Sequence, residues 1–262
     1  MERERILREL KTIGGETGVL WKPVDLAVYE YDAGLGRGKP GFVVFPRSTA
    51  EVSGVVKILS REGISFVPRG SGTNLSGGTI PLNGGAVIEL SRLNKILEID
   101  VENERALVEP AVYNLTLQNA LAPKGYYYAP DPASQKVSTL GGNVGETAGG
   151  PHCLKYGVTS NHVLGIETVL PDGEIVWLGG KAVDAPGPDL AGLLIGAEGT
   201  LGIATKILVR IMRLPERVLT MLAIYNSLED AGRTVSEIIA EGIIPATLEI
   251  MDNLVIRAVE ES

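Results

Sequence analysis

Apolar positions along the chain change period repeatedly, and each change marks an element. The run Phe42 to Phe45 predicts a short strand. Ser48 and Glu51 then form a capping box at a helix start, and Val52, Val55, Val56 and Leu59 recur at helical spacing until Gly63 ends the helix. A second strand, Ile64 to Val67, follows, so the unit reads as β-α-β with its two strands parallel. Further strands are expected at Ala86 to Leu90, Ile96 to Asp100 and Ala106 to Glu109, and a helix at Asn114 to Lys124 stopped by Gly125. The aromatic run Tyr126 to Tyr128 fits an edge or core strand better than a base-stacking platform. Val163 to Leu170 and Glu174 to Leu178 flank Pro171-Asp172-Gly173 as a hairpin, and Ile203 to Ile211 predicts a long strand.

From Leu219 the pattern begins afresh. A strand at Leu219 to Tyr225, a helix from Ser227 to about Glu241, a strand at Thr247 to Met251 and a helix from Asp252 are expected, with a boundary at Pro215. Residues 215–262 are too few for a reliable core of their own and read as the start of a larger domain. At the other end, residues 1–37 begin with a charged amphipathic helix that lacks the apolar centre of a signal peptide.

Composition narrows the classes. With 44% hydrophobic and 21% charged residues, the 262-residue chain has the balance of a folded globular protein. A net charge of -8 without any Lys/Arg run leaves no footprint for nucleic acid. No apolar stretch reaches the ~20 residues needed to span a bilayer, and the single Cys153 makes no internal disulfide, so a cytoplasmic protein is expected.

The 33 glycines concentrate at Gly70 to Gly85, Gly141 to Gly150 and Gly196 to Gly202, which implies close approach of backbone to something. In Phe66 to Gly78, Gly70, Gly72, Gly77 and Gly78 surround Ser71, Thr73 and Asn74; converging N–H groups and short polar side chains suit a diphosphate, with Arg69 to offset charge. A P-loop is excluded because the Gly-Lys pairs are followed by Pro40 and Ala182. A Rossmann fingerprint fails at Leu75, and neither the kinase motif set nor a Gly-x-Ser-x-Gly elbow is present. Pro130 to Gly150 is long, rich in small residues and expected to be poor in regular structure; Ser134, Ser138, Thr139 and Asn143 would bond ring or ribitol oxygens. Gly196 to Ile203 is a third such turn, with Glu198 its only charge. His152 and His162 share no metal-ligand spacing with each other or with Cys153, so no metal site is expected. His152 is the one catalytic candidate, and a structural histidine beside Cys153 explains it as well.

Taken in order, the Pro68 to Gly78 loop, the Pro130 to Gly150 series, His152 to Gly157, Gly196 to Ile203 and Glu249 to Leu254 resemble the FAD-linked oxidases of the vanillyl-alcohol-oxidase fold, most of all the flavin subunit of bacterial glycolate oxidase and the D-lactate dehydrogenases. The resemblance implies an α+β fold of the PCMH type at residues 38–214, with FAD between two α+β subdomains, followed at 215–262 by an incomplete cap-domain β-α-β-α unit. It also implies oxidation of a small 2-hydroxy acid to a 2-oxo acid by hydride transfer to flavin N5. Pro68, Arg69, Gly70, Ser71, Gly72, Thr73 and Asn74 would hold the pyrophosphate, Pro130, Ser134, Thr139, Gly141, Gly142, Asn143, Ala148 and Gly149 would line the flavin and its linker, and Glu198, Gly199 and Ile203 would close the site. Thr73 stands where members with covalent flavin carry His, so FAD should dissociate; Thr147 stands where relatives commonly have Asn. The resemblance places the base in the cap domain, and the chain ends soon after that domain begins. It implies iron-sulfur or other flavin subunits, or a second copy, as partners. The alternative is a noncatalytic FAD-binding module that needs another chain for activity.

Overall fold

A computed structural model describes residues 2–81, 84–182 and 187–261. Ser262, the last residue of the expected segment 215–262, and Leu82 and Asn83, within the first glycine cluster, lie outside them. The first subdomain begins with α1 (Glu2–Gly14), whose Ile6 and Leu10 are buried, then β1 (Val19–Leu20) and α2 (Pro23–Leu26). β2 (Phe42–Val44) leads into α3 (Thr49–Arg61), β3 (Phe66–Arg69) and β4 (Ala86–Glu89). The Ser48 side chain accepts from Glu51 N–H, and the Glu51 carboxylate accepts from Arg47 N–H. The sheet order is β1-β2-β4-β3, with β2 and β3 both parallel to β4. The β-α-β strands are therefore parallel as expected, but β4 lies between them. That position explains why Ala86 to Glu89 is buried throughout: Ala86 and Ile88 pack with residues of α1 and α3 on one face, and Val87 packs with Val43 and Leu26 on the other.

The second subdomain contains β5 (Ile96–Asp100), β6 (Arg105–Val108), α4 (Asn114–Leu121), β7 (Tyr126–Tyr127), α5 (Leu140–Gly145) and α6 (Cys153–Tyr156). It continues through β8 (Val163–Val169), β9 (Ile175–Gly179), α7 (Leu190–Leu194), β10 (Ile203–Arg210) and β11 (Met212–Arg213). Five strands form an antiparallel sheet in the order β5-β6-β10-β8-β9, and β11 pairs with β7. Val108, Ile166, Ile207 and Val209 pack with Leu117, Leu121 and Leu140. The α+β class and most elements match the sequence reading within two residues.

The subdomains are joined through α3. Ser53 Oγ donates to Gly173 O at 2.5 Å, Ser60 Oγ to Pro171 O at 2.6 Å and Thr49 Oγ1 to Glu167 Oε1 at 2.6 Å. The hairpin turn seats against the helix, and Gly173 at φ 84° is the residue that lets it turn there. Val169 and Ile203 from the antiparallel sheet also enter the first core.

Three expectations fail. Leu219 to Tyr225 and Thr247 to Met251 form no strand: they run unpaired, because β propensity has no effect without a neighbouring ladder. The helices between and after them do form, as α8 (Leu228–Ala240) and α9 (Asn253–Glu260), capped by Ser227 and Asp252. Pro130 to Gly150, expected to lack regular structure, contains α5.

Candidate functional site

The three glycine segments meet. A Cβ on Gly70 would overlap Thr139 Oγ1, one on Gly199 would overlap the Pro68 ring, and one on Gly78 would fall 2.7 Å from Glu198 Oε2. A Cβ on Gly141 would likewise fall 2.6 Å from Pro110 Cβ. These contacts tie the end of β3, the start of α5 and the turn before β10 into one rim around a cleft of about 380 Å³, within the usual range for ligand sites.

The Pro68 to Asn74 loop forms one wall. Among the described residues, none of the N–H groups of Gly70 to Asn74 donates to a protein acceptor, so a row of donors remains for an anion. Arg69 supports this loop from behind: its guanidinium donates to Tyr31 O at 2.8 Å, packs over the Tyr29 ring and lies 3.9 Å from Glu89. Asn74 is held by Asp32, to which its Nδ2 donates at 2.8 Å. Thr139 caps α5, its Oγ1 accepting from Gly142 N–H, which fixes the glycine-rich turn against the loop.

Of the residues expected to hold the cofactor, Pro68 to Asn74, Ser134, Thr139, Gly141 to Asn143, Ala148, Glu198, Gly199 and Ile203 all border this cleft, while Pro130 and Gly149 do not. Pro130 instead has its carbonyl bound by Asn114 Nδ2. Ser138 is buried beside Thr139 with its hydroxyl unpartnered. The sequence reading missed the floor, where Leu90, Pro110, Ile166, Thr168 and Ala204 supply apolar surface. It also missed Glu146, whose carboxyl burial pushes upward, reinforced by the charges of Glu198 and Asp32 and opposed by a hydrogen bond from Ser76. Alternation along β8 puts Ile166 and Thr168 on the cleft side, but nothing in the sequence distinguishes the floor residues from ordinary core.

An elongated diphosphate-linked ligand fits this surface. Asn143 Nδ2 and Thr168 Oγ1 border the cleft, are buried, and have no partner in the protein, which is costly unless a ligand or water completes them. Apolar floor, free loop amides and unpartnered side-chain groups together suit a ring system joined to a charged linker.

His152 lies at the start of α6, outside the cleft lining, with its Nδ1 donating to Asp131 Oδ2 at 2.6 Å. His162 is buried, bonds Tyr156 O through Nε2 and is pushed by burial towards its neutral form. Cys153 Sγ accepts from Gly150 N–H. No cluster of metal-ligating residues occurs among the described residues, and no described helix is long and apolar enough to cross a membrane.

A two-subdomain α+β shell around a glycine-lined cleft is the architecture of a dinucleotide-binding flavoprotein domain, and the comparisons agree. Residues 40–179 match the FAD binding domain family and residues 214–262 match the C-terminal domain of FAD linked oxidases. The chain belongs to the FAD binding domain family, and FAD is its cofactor. It is 48% identical over 236 residues to glycolate oxidase subunit GlcD of Bacillus subtilis, covering 89% of this chain and 50% of that protein. It is 43% identical to the Escherichia coli subunit of the same name over 100% of this chain and 52% of that protein. A D-lactate dehydrogenase of Anaerostipes hadrus is 35% identical over 95% of this chain and 51% of the relative. The chain thus spans about half the length of these relatives. Among solved structures, p-cresol methylhydroxylase superposes with a TM-score of 0.76 at 23% identity, covering 90% of this chain and 48% of that one. This likeness shows the fold alone.

Proposed function

We propose that this chain is the FAD-binding portion of a flavin-dependent oxidoreductase that oxidises a small 2-hydroxy acid, of the glycolate or D-lactate type, to a 2-oxo acid. The observation that carries the reading is the convergence of three glycine segments on one cleft, with the free amides of Gly70 to Asn74 on its wall and the unpartnered Asn143 Nδ2 within it. The named relatives supply the substrate class. In this reading residues 38–214 form the FAD domain, residues 215–262 begin the substrate domain, and residues 1–37 brace the first sheet. The loop holds the diphosphate and Asn143 bonds the flavin or its linker. FAD supplies the two-electron acceptor, and the protein orients it and screens it from water. Thr73 leaves the flavin noncovalently bound. A cytoplasmic location and a complex with iron-sulfur or other flavin subunits, or with a second copy, belong to the same proposal.

The test is the absorption spectrum of the purified, FAD-reconstituted protein before and after acid precipitation. Flavin bands that move to the supernatant are expected. Absence of bands under every reconstitution condition would overturn the reading, and flavin in the pellet would overturn noncovalent binding.

A second reading, a noncatalytic module completed by another chain, is favoured by the exposed apolar faces of α8 and α9, on which Leu228, Leu254, Val255 and Val259 are all more than half exposed. Gel filtration with and without a chain carrying the remainder of the C-terminal domain separates the two: full activity of a monomer eliminates this reading.

A further inference from the structure

We propose that Glu146 holds FAD as a neutral carboxylic acid, so that loading the cofactor takes up one proton. The proposal rests on the reading of the cleft as the FAD site and adds to it a binding residue and a coupling to pH.

Glu146 follows α5 directly and lines the cleft, three residues after Asn143, so the two side chains share one helix face. Asn143 is buried there with its Nδ2 unpartnered, an independent sign that this face takes a ligand. Ser76 Oγ, from the segment that follows Asn74, donates to Glu146 Oε1 at 2.9 Å. Among the described residues, Glu146 Oε2 has no protein partner. A second carboxylate closes on the same point: a Cβ on Gly78 would fall 2.7 Å from Glu198 Oε2 and 3.5 Å from Glu146 Oε1. Backbone fixes both acids, since Glu198 N–H donates to Gly145 O and Glu146 N–H to Gly142 O, each at 3.0 Å.

The cleft gives these acids little compensation. Arg69 is the one cation among the described residues that line it, and its guanidinium is engaged by Tyr31 O and Glu89. On β10, against which α5 packs, Lys206 is paired with Glu167 at 2.9 Å and Arg210 is exposed at the strand end. His162, also beside α5, is pushed by burial towards its neutral form. A diphosphate brings further negative charge into this space, and like charges in a confined site favour protonation of one of them.

Three acids are candidates for that proton. Asp32 has its charge satisfied by Gly34 N–H at 2.7 Å and Asn74 Nδ2 at 2.8 Å, and Glu198 is exposed to water. Glu146 is half-buried with a single donor; burial pushes its carboxyl up, and the charges of Glu198 and Asp32 add to the push. The proton therefore settles on Glu146. Ser76 keeps Oε1, and the acid O–H at Oε2 becomes a donor to an oxygen of the cofactor. Because the carboxyl is ionised in the empty cleft and neutral in the loaded one, FAD affinity rises as pH falls between the two titrations, by about tenfold per pH unit.

Calorimetric titration of the apoprotein with FAD at pH 7.5, in HEPES and in Tris, counts the protons, because the two buffers ionise with different heats. Fluorescence titration from pH 6 to 9 reads the affinity. The wild type should take up about one proton per FAD and bind more tightly as pH falls. Glu146→Gln, which copies the neutral acid, should take up none, bind with an affinity independent of pH, and exceed the wild type by about tenfold or more at pH 9. Glu198→Gln and Glu89→Gln should keep a sloping profile, the latter because Glu89 lies behind the loop beside Arg69. No uptake by the wild type, or a slope that survives in Glu146→Gln, would overturn the proposal. A slope lost in Glu198→Gln or Glu89→Gln assigns the proton to that residue and overturns it equally. If Glu146→Gln does not fold, the wild-type count and the other two variants decide. FAD bound without a proton overturns this proposal alone, whereas no FAD binding under any condition overturns the cofactor reading itself.

Discussion

Arg69 and Glu89 occupy directly paired positions on neighbouring parallel strands, and their charged groups lie 3.9 Å apart with each side chain less than a tenth exposed. Burial pushes the Glu89 carboxyl up from 4.5 to about 7, against the pull of Arg69 and the Ser91 N–H. Because the folded value exceeds the unfolded one, the folded state holds the proton more tightly between pH 4.5 and 7, and stability falls as pH rises through that window. Urea unfolding of the wild type should lose up to about 3 kcal/mol from this group between pH 4.5 and 7.5, since one unit corresponds to about 1.4 kcal/mol. Glu89→Gln should remove that slope. His162 acts in the opposite direction, because burial lowers its pKa and its contribution fades as pH falls below the ordinary histidine range. Both proteins retain it, so their difference isolates Glu89. Equal slopes would show that Glu89 is ionised throughout.

Close packing at Gly199 should be separable from its backbone conformation. Gly199 and Gly63 have φ of 76° and 63°, but a Cβ on Gly63 meets nothing whereas one on Gly199 enters the Pro68 ring. Gly63→Ala is expected to cost about 1 kcal/mol from the left-handed conformation alone. Gly199→Ala should cost roughly 3 kcal/mol by adding overpacking, and should weaken FAD binding more than tenfold because Pro68 opens the loop proposed to hold the diphosphate. Thermal melts and FAD titration of both variants check this.

These two glycines also show what the sequence made legible. Gly63 is readable as a helix stop because helical periodicity ends beside it, and Asn114 to Gly125 is readable for the same reason. That Gly199 faces Pro68, across 131 positions of sequence, follows only from the order of the two sheets. The insertion of β4 between β2 and β3 was likewise hidden, because adjacency depends on packing across both faces rather than on local pattern. The loop at Pro68 to Asn74 announced itself by composition, whereas the floor at Ile166 and Thr168 looks like any strand. α5 was missed because three of its six residues are glycine, which masks both propensity and periodicity. The strands expected at Leu219 and Thr247 had the right residues and lacked partners.

Thr147 offers a stabilising change. It holds φ 44°, a left-handed conformation unfavourable for a β-branched residue, and its buried hydroxyl has no partner. Asn tolerates that conformation far better. Thr147→Asn should raise stability by about 0.5–1 kcal/mol, and Thr147→Gly should also gain by removing the strained Cβ. A lower melting temperature in both variants would mean that the Thr147 methyl packing outweighs the backbone strain.

The segment after Leu214 should contribute little to the cooperative unit formed by the two sheets. Met221 is 92% and Ile224 90% exposed, and no residue of α8 or α9 is buried. Helices whose apolar faces meet water have little to hold them beyond their own caps and local pairs, such as Arg233 with Asp230 at 3.4 Å. Their amides should exchange with solvent far faster than those of β4 or β10, whose residues are largely buried. A chain shortened to residues 1–214 should melt within about 2 °C of the longer one, because the unit that sets ΔH and ΔS is retained. It should also bind much less of an apolar dye such as ANS, whose target is the exposed surface of α8 and α9. A drop in melting temperature well beyond that range, or unchanged dye binding, would show that residues 215–261 pack onto the FAD domain in solution.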